Sequence, residues 1–268
     1  MELTTRMELT NWLTSQGLTG LAENDLVRGF CERCCAAGLD LSRSLIFIDT
    51  LHPIFEGRGF RWNDSETNES DSFEYGPTDQ GDAAQNWRRS VFFHMLEHGH
   101  DEVRIDLADH PKLGFTMLPE LAEKGHRHMA GFVHRFGEAG ALGQMDCFYS
   151  YWLTRRAEGF NDRELAALRD LVPVLGLAIK SAAQVDIART LGRVYLARND
   201  GEAALKWFDA AITRNPQLGE AQYYKALAHL TRTPAEPEKA VTHARAARSA
   251  GYPNADALLK EAESKARE

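Results

Sequence analysis

The run LGRVYLARNDGEAALKWFDAAITRNP, residues 191–216, decides how the back of this 268-residue chain folds. Large residues (Leu191, Tyr195, Phe208) and small ones (Gly192, Ala204, Ala211) recur at intervals that interlock where two antiparallel helices cross. Pro216 ends the second helix, because its ring removes a donor and clashes with the preceding turn. The run predicts a helical hairpin.

A second copy follows at a slightly longer period. Leu227, Ala228, Ala240, Ala244 and Ala247 lie 36 residues after Leu191, Gly192, Ala204, Phe208 and Ala211. The extra residues fall in TRTPAEPEK, Pro253 ends the second hairpin, and residues 254–267 read as a capping helix with a polar outer face. This spacing is that of the tetratricopeptide repeat. Two repeats and a cap fall short of the roughly three units such arrays need for stability alone. The helix that feeds them is therefore expected to supply the missing packing surface.

That helix reads from Asp162 to Leu191, with Leu165, Leu168, Leu171, Leu175 and Ile179 at helical spacing and Pro173 as a kink or restart. No flexible linker separates it from the repeat, so a rigid coupling is expected. Ahead of it, residues 8–17 and 22–38 read as helices, 44–49 as a buried strand and 57–62 as its hairpin partner. An acidic, turn-rich loop spans 63–82, with a short strand at 73–75. Residues 86–99 read as one helix, 102–107 as a strand, 118–123 as a short helix, and 127–136 and 143–153 as two long strands joined by EAGAL. In the last strand Met145, Cys147, Tyr149 and Tyr151 face one way, and Asp146, Phe148, Ser150 and Trp152 the other. This order is that of a GAF-like sensory domain, an antiparallel sheet with helices packed on one side. The expected fold is an α+β GAF-like domain over 1–185, followed by an all-α tetratricopeptide-repeat domain over 186–268.

Residues 46–191, above all FVHRFGEAGALGQMDCFYSYWLTRRAEGFNDRELAALRDLVPVLGLAIKSAAQVDIARTL, resemble the N-terminal region of bacterial, rhizobial-type class III adenylate/guanylate cyclases. The resemblance covers a little over half of the chain. It implies a GAF-like regulatory domain that ends in a GxxD strand and a GF.D.E..AL..LVP.L.LA.K helix. In that family a catalytic domain with metal-binding aspartates follows, the first in a phrase such as FSDLRG. Here the repeat stands in its place, so the regulatory domain carries over and the cyclase activity does not.

Composition narrows the function classes. Residues 186–268 hold 13 Lys and Arg against 11 Asp and Glu, which leaves 18 basic and 28 acidic residues in the front part of a chain of net charge −8. An acidic front without a basic stripe argues against nucleic acid as a partner. No apolar run approaches the roughly 18 residues of a membrane span, and MELTTRMELT is no signal peptide. Four cysteines, Cys31, Cys34, Cys35 and Cys147, are too few and too clustered for a disulfide framework, so a reduced, cytoplasmic protein is expected.

Candidate site residues fall into two sets. Trp62, Tyr75, Trp87, Phe132, Tyr149 and Trp152 either line a pocket or fill the core. His94 and His98 share a helix face at metal-ligand spacing, beside His100. His126, His128 and His134 share parity on a strand. A haem or transition-metal site between that helix and strand is one reading, and histidines at a surface or pocket rim are the other. Cys31-Glu-Arg-Cys34-Cys35 lies inside a helix, without a second such pair, and reads as a buried face. The acidic run Asp64, Glu66, Glu69, Asp71 lacks the glycine and closing glutamate of a calcium loop. No GxSxG, Cys/His pair or phosphate-cradling loop is present.

The leading expectation is a non-catalytic regulator: a GAF-like domain that binds a small molecule or partner, and repeats that dock a protein segment. A haem or metal protein built on the histidines, and an adaptor with a filled pocket, are the alternatives. Self-association through the helix from Asp162 is also expected, giving a homodimer.

Overall fold

The alternating segments form a six-stranded antiparallel sheet among the residues that the computed structural model describes, which are 1–49, 57–65, 72–75, 81–135 and 147–267. In chain order the elements are α1 Leu3–Thr19, α2 Glu23–Ala36, β1 Arg43–Asp49, β2 Gly57–Asn63, β3 Ser72–Tyr75, α3 Gly81–Arg88 and α4 Val91–Glu97. There follow β4 Glu102–Asp106, α5 His110–Leu113, α6 Leu118–Glu123, β5 His128–Arg135, β6 Cys147–Thr154 and α7 Asp162–Ala197. The remaining helices are α8 Gly201–Arg214, α9 Gly219–Thr231, α10 Pro237–Ser249 and α11 Ala255–Lys265. The sheet order is β3-β2-β1-β6-β5-β4.

The chain divides into two compact units, Met1–Leu13 with Glu23–Gly176, and Thr14–Ala22 with Leu177–Glu268. Helices α1 and α7 each give residues to both.

In the first unit both faces of the sheet are covered, where the sequence pointed to helices on one side. On one face, Trp152 of β6 meets Phe30 of α2 edge-on at 5.5 Å, and the Ser44 hydroxyl of β1 lies 3.4 Å from the Cys31 sulfur. On the other, Leu45, Met129, Val133, Tyr149, Tyr151 and Leu153 pack with Val91, Phe92 and Met95 of α4 and Leu118 and Leu121 of α6. The cause is visible in SLIFID and FYSYWL, where successive residues of either parity are apolar or aromatic. A central strand of that kind must be buried on both faces.

Three segments differ from expectation. The helix expected over 86–99 is two helices, because Ser90 turns extended and its hydroxyl accepts from the Phe93 amide, which starts α4 afresh. A short 3₁₀ turn and α5 occupy 107–113, where the sequence carried no helix signal. Helix α7 runs through Pro173 unbroken, so the Arg169 carbonyl loses its helix donor without ending the helix. It also contains an 18-residue window long and apolar enough, by length and composition alone, to cross a membrane, against the expectation that no run approached this; 53% of the window is buried within the protein. EAGAL, Phe136, Met145, Asp146, Glu66, Glu69 and Asp71 lie outside the described residues.

In the second unit Ala204, Phe208 and Ala211 are fully buried. Gly192 admits the Phe208 ring so closely that a Cβ there would fall 2.4 Å from it. Ala226, Ala240 and Ala244 form the next cluster with Leu230, Leu258, Leu259 and Ala262. The Thr14–Ala22 segment packs into this unit: a Cβ on Gly17 would come within 2.7 Å of the Ala178 Cα, and Asn215 donates to the Thr19 carbonyl at 2.7 Å.

Candidate functional site: an aromatic sheet face with two arginines

Strand β2 carries glycine at 57 and 59, and β3 places Tyr75 and Phe73 opposite them. A Cβ at Gly57 would lie 2.1 Å from the Tyr75 hydroxyl, and one at Gly59 2.3 Å from the Phe73 ring. Both rings therefore lie across β2, over backbone that only glycine leaves bare. Phe47 of β1 meets Phe73, Tyr75 and Phe92 at 5.9, 5.6 and 5.8 Å, near perpendicular in each case. Phe92 continues to Tyr149 at 5.5 Å, and Trp87 of α3 meets Tyr149 at 5.6 Å and Phe93 at 6.1 Å. Such edge-to-face contacts are the favoured arrangement of aromatic quadrupoles. The floor, Phe92, Tyr149 and Tyr151, is buried, while Phe47, Phe73, Tyr75 and Trp87 at the rim are half-buried.

Two guanidiniums share this face. Arg43 pairs in register with Asn63 and Leu45 with Arg61, so the two arginines are diagonal neighbours on adjacent strands. Arg43 is 6% exposed; it donates from Nε to the Tyr151 hydroxyl at 3.4 Å and from Nη1 to Asn63 Oδ1 at 3.2 Å. Arg61 rests its guanidinium on the Phe73 ring, 5.2 Å from the centroid, and is half-buried. Burial raises the Tyr151 pKa and the neighbouring Arg43 opposes that rise, so the phenol stays protonated at neutral pH. Rings, guanidiniums and a neutral phenol bind by contact and charge. Among the described residues, the side chains that meet here form no nucleophile–base pair.

Of the predicted aromatic set, Tyr75, Trp87 and Tyr149 meet on this face. Trp62, Phe132 and Trp152 do not, because their positions on β2, β5 and β6 have the opposite parity. Phe132 and Trp152 are buried in the core on the α2 side. Sequence reasoning missed Arg43, Arg61, Phe47, Phe73 and Phe92. The available signal was parity, since Arg43, just ahead of the apolar run 44–49, alternates with Leu45 and Phe47.

The histidines do not form one cluster. His94 and His98 lie 4.1 Å apart by ring centroid, with His100 at 6.3 and 6.0 Å from them, at the end of α4. His126 is buried elsewhere, with Nδ1 2.7 Å from the Ser42 hydroxyl; burial, then Arg155 and Arg43, lower its pKa to about 4. His128 donates from Nε2 to the Ala157 carbonyl at 2.7 Å and lines a cleft of about 210 Å³ with Arg104, Asp106 and Glu158. That is below the roughly 300 Å³ at which ligand pockets begin. His134 sits between Phe132 and Phe148 on the α2 side. Among the described residues no group of three or more His, Cys, Asp or Glu is arranged to hold a metal ion. Burial raises the thiol pKa of Cys31, Cys34 and Cys35, as expected for inert packing.

No protein-family model matches the chain. No curated protein matches it. Among solved structures it is similar to the phycoerythrobilin-bound GAF domain from a cyanobacterial phytochrome, at 13% identity and a TM-score of 0.40, over 66% of this chain and 95% of that one. A likeness at that score establishes neither a fold family nor a ligand.

Proposed function

We propose that this chain is a non-catalytic regulatory protein: a GAF-like domain that binds a small molecule on its aromatic sheet face, joined to tetratricopeptide-type helices that dock a protein partner. One observation carries the ligand half, the half-buried aromatic rim over a buried floor that includes an arginine and a phenol. Apolar walls with a few convergent polar groups are the usual makeup of a small-molecule site. The antiparallel sheet with its covering helices is consistent with a GAF-like domain. For the docking half, support comes from Arg193 over Tyr224 at 5.2 Å and from Tyr223 against Tyr252 at 5.1 Å, residue types that dominate binding hot spots. In this reading the helical unit replaces the cyclase domain that the sequence resemblance leads one to expect, and the chain acts as a homodimer.

The ligand half is tested by a thermal-shift screen of metabolites on the wild type and on Tyr149→Leu. A ligand at 100 times its Kd stabilises the native state by about 2.7 kcal/mol. A hit that raises the wild-type midpoint by several degrees and fails with Tyr149→Leu supports the reading. Hits that act equally on both proteins overturn it.

A further inference from the structure

We infer that the first unit holds a second binding site, in the cleft beside His128, which takes a small organic cation: an ammonium or amidinium on a short apolar body. The site is separate from the aromatic face. Arg104, Asp106 and His128 have even positions on β4 and β5, whereas the strand residues of the aromatic cluster, Ile105, Met129 and Val133, have odd ones. The cleft of about 210 Å³ is too small for a drug-sized ligand. It matches about seven waters at about 30 Å³ each, the bulk of a single ring or a short chain. One wall is fixed by His128, which donates to the Ala157 carbonyl at 2.7 Å. A Cβ on Gly159 would fall 2.9 Å from the His128 ring, so the turn after β6 rests directly on it. The floor is apolar, with Met129, Ala130 and Leu165 buried and Phe160 half-buried. An apolar body gains there by leaving water, and a cation gains from the face of a ring such as Phe160.

Charge sets the sign of the ligand. The arginines around the cleft are matched by carboxylates: Arg104 by Glu102 at 2.9 Å and Asp162 at 3.4 Å, and Arg169 by Glu102. Arg156 is matched by Glu164 at 2.6 Å and Asp40 at 3.5 Å. Asp106 and Glu158 are left over. Asp106 accepts from the Ala108 amide at 2.9 Å, and Glu158 acts on Arg156 only at a distance. Among the described residues neither carboxylate is ion-paired. Even with Arg163 of the first turn of α7 counted, six carboxylates stand against four guanidiniums. An organic cation fits better than a metal ion. Two carboxylates over an apolar floor would leave most of a hard cation's coordination unfilled. Nor, among the described residues, is any group of three or more His, Cys, Asp or Glu arranged to hold one.

The test compares benzylamine with benzyl alcohol, probes of one shape that differ in charge, in NMR titrations of the full ¹⁵N-labelled chain at low ionic strength. Benzylamine is expected to bind at least fivefold more tightly and to move the amide signals of Asp106 and Gly159 in a saturable way. Asp106→Asn combined with Glu158→Gln should close that gap while it leaves benzyl alcohol affinity within twofold. The asparagine keeps the oxygen that accepts from Ala108, so the turn it holds is preserved. The wild-type comparison stands even if the double variant fails to fold. Equal affinity for the two probes, or a gap that survives the double variant, overturns the cation assignment. Saturable shifts confined to the aromatic face, or no binding of either probe at tens of millimolar, overturn the cleft as a site.

Discussion

Gly192 and Gly59 show how single atoms hold the two units in shape. Gly192→Ala adds helix propensity worth about 1 kcal/mol, yet its methyl would meet the fully buried Phe208 ring. Overpacking of this kind costs about 1–3 kcal/mol. The variant is expected to be net destabilised in denaturant unfolding, and Phe208→Ala to lose about 3–5 kcal/mol. The glycine at 192 was legible from spacing alone, because the small residue and its bulky partner both belong to the interval pattern read at 191–216. Gly59 was not legible, since its role depends on the Phe73 ring that the β2–β3 register sets directly opposite it. Gly59→Val should expel Phe73 from β2 and weaken the near-ultraviolet dichroism of the aromatic face.

Titration gives a second residue-scale test. His243 and His229 stack at 5.6 Å, with His243 bonded to Gln222 and His229 to Glu236. Burial, with Lys225 and His229 adding to it, lowers the His243 pKa to about 4, and burial also lowers that of His229, against the pull of Glu236. The unfolded chain therefore binds more protons than the folded one between about pH 6.5 and pH 4. Stability of the helical unit should fall as pH drops through that window, followed as the thermal midpoint, and His243→Gln should flatten the fall.

At the scale of elements, the strand and helix signals were strong where apolar residues recur at one period and weak where local chemistry intervenes. Helix α6 and β3 came out close to the sequence reading, whereas Ser90 split one expected helix into α3 and α4. Which helix covers which sheet face was not legible, because β1 and β6 are apolar at both parities. The split of the six candidate aromatics between two faces follows from that same ambiguity. Helix α7 exposes Leu177 and Ile187 at 56% and Val194 at 41%. If this stripe supports the proposed dimer, light scattering at micromolar concentration should return twice the 30.0 kDa chain mass. Ile187→Glu with Val194→Glu should return the single mass. A fragment of residues 186–268 lacks both the first turns that α7 gives to the unit and the Thr14–Ala22 segment bonded through Asn215. It is expected to unfold without a cooperative transition, which circular dichroism on heating will show.

At the scale of the whole molecule, the first unit is proposed to recognise a small molecule and the second a protein. The proposed ligand settles against Trp87 on one face of the sheet. The five tryptophans make this directly readable, since Trp12 lies on α1, Trp62 and Trp152 have the opposite sheet parity, and Trp207 lies on α8. The decisive measurement is fluorine NMR of the chain labelled with 5-fluorotryptophan and titrated with the strongest hit of the thermal-shift screen. The Trp87 resonance is expected to move in a saturable way while the other four hold still. A spectrum in which Trp87 is unmoved, or in which Trp62 or Trp152 shifts instead, would contradict it.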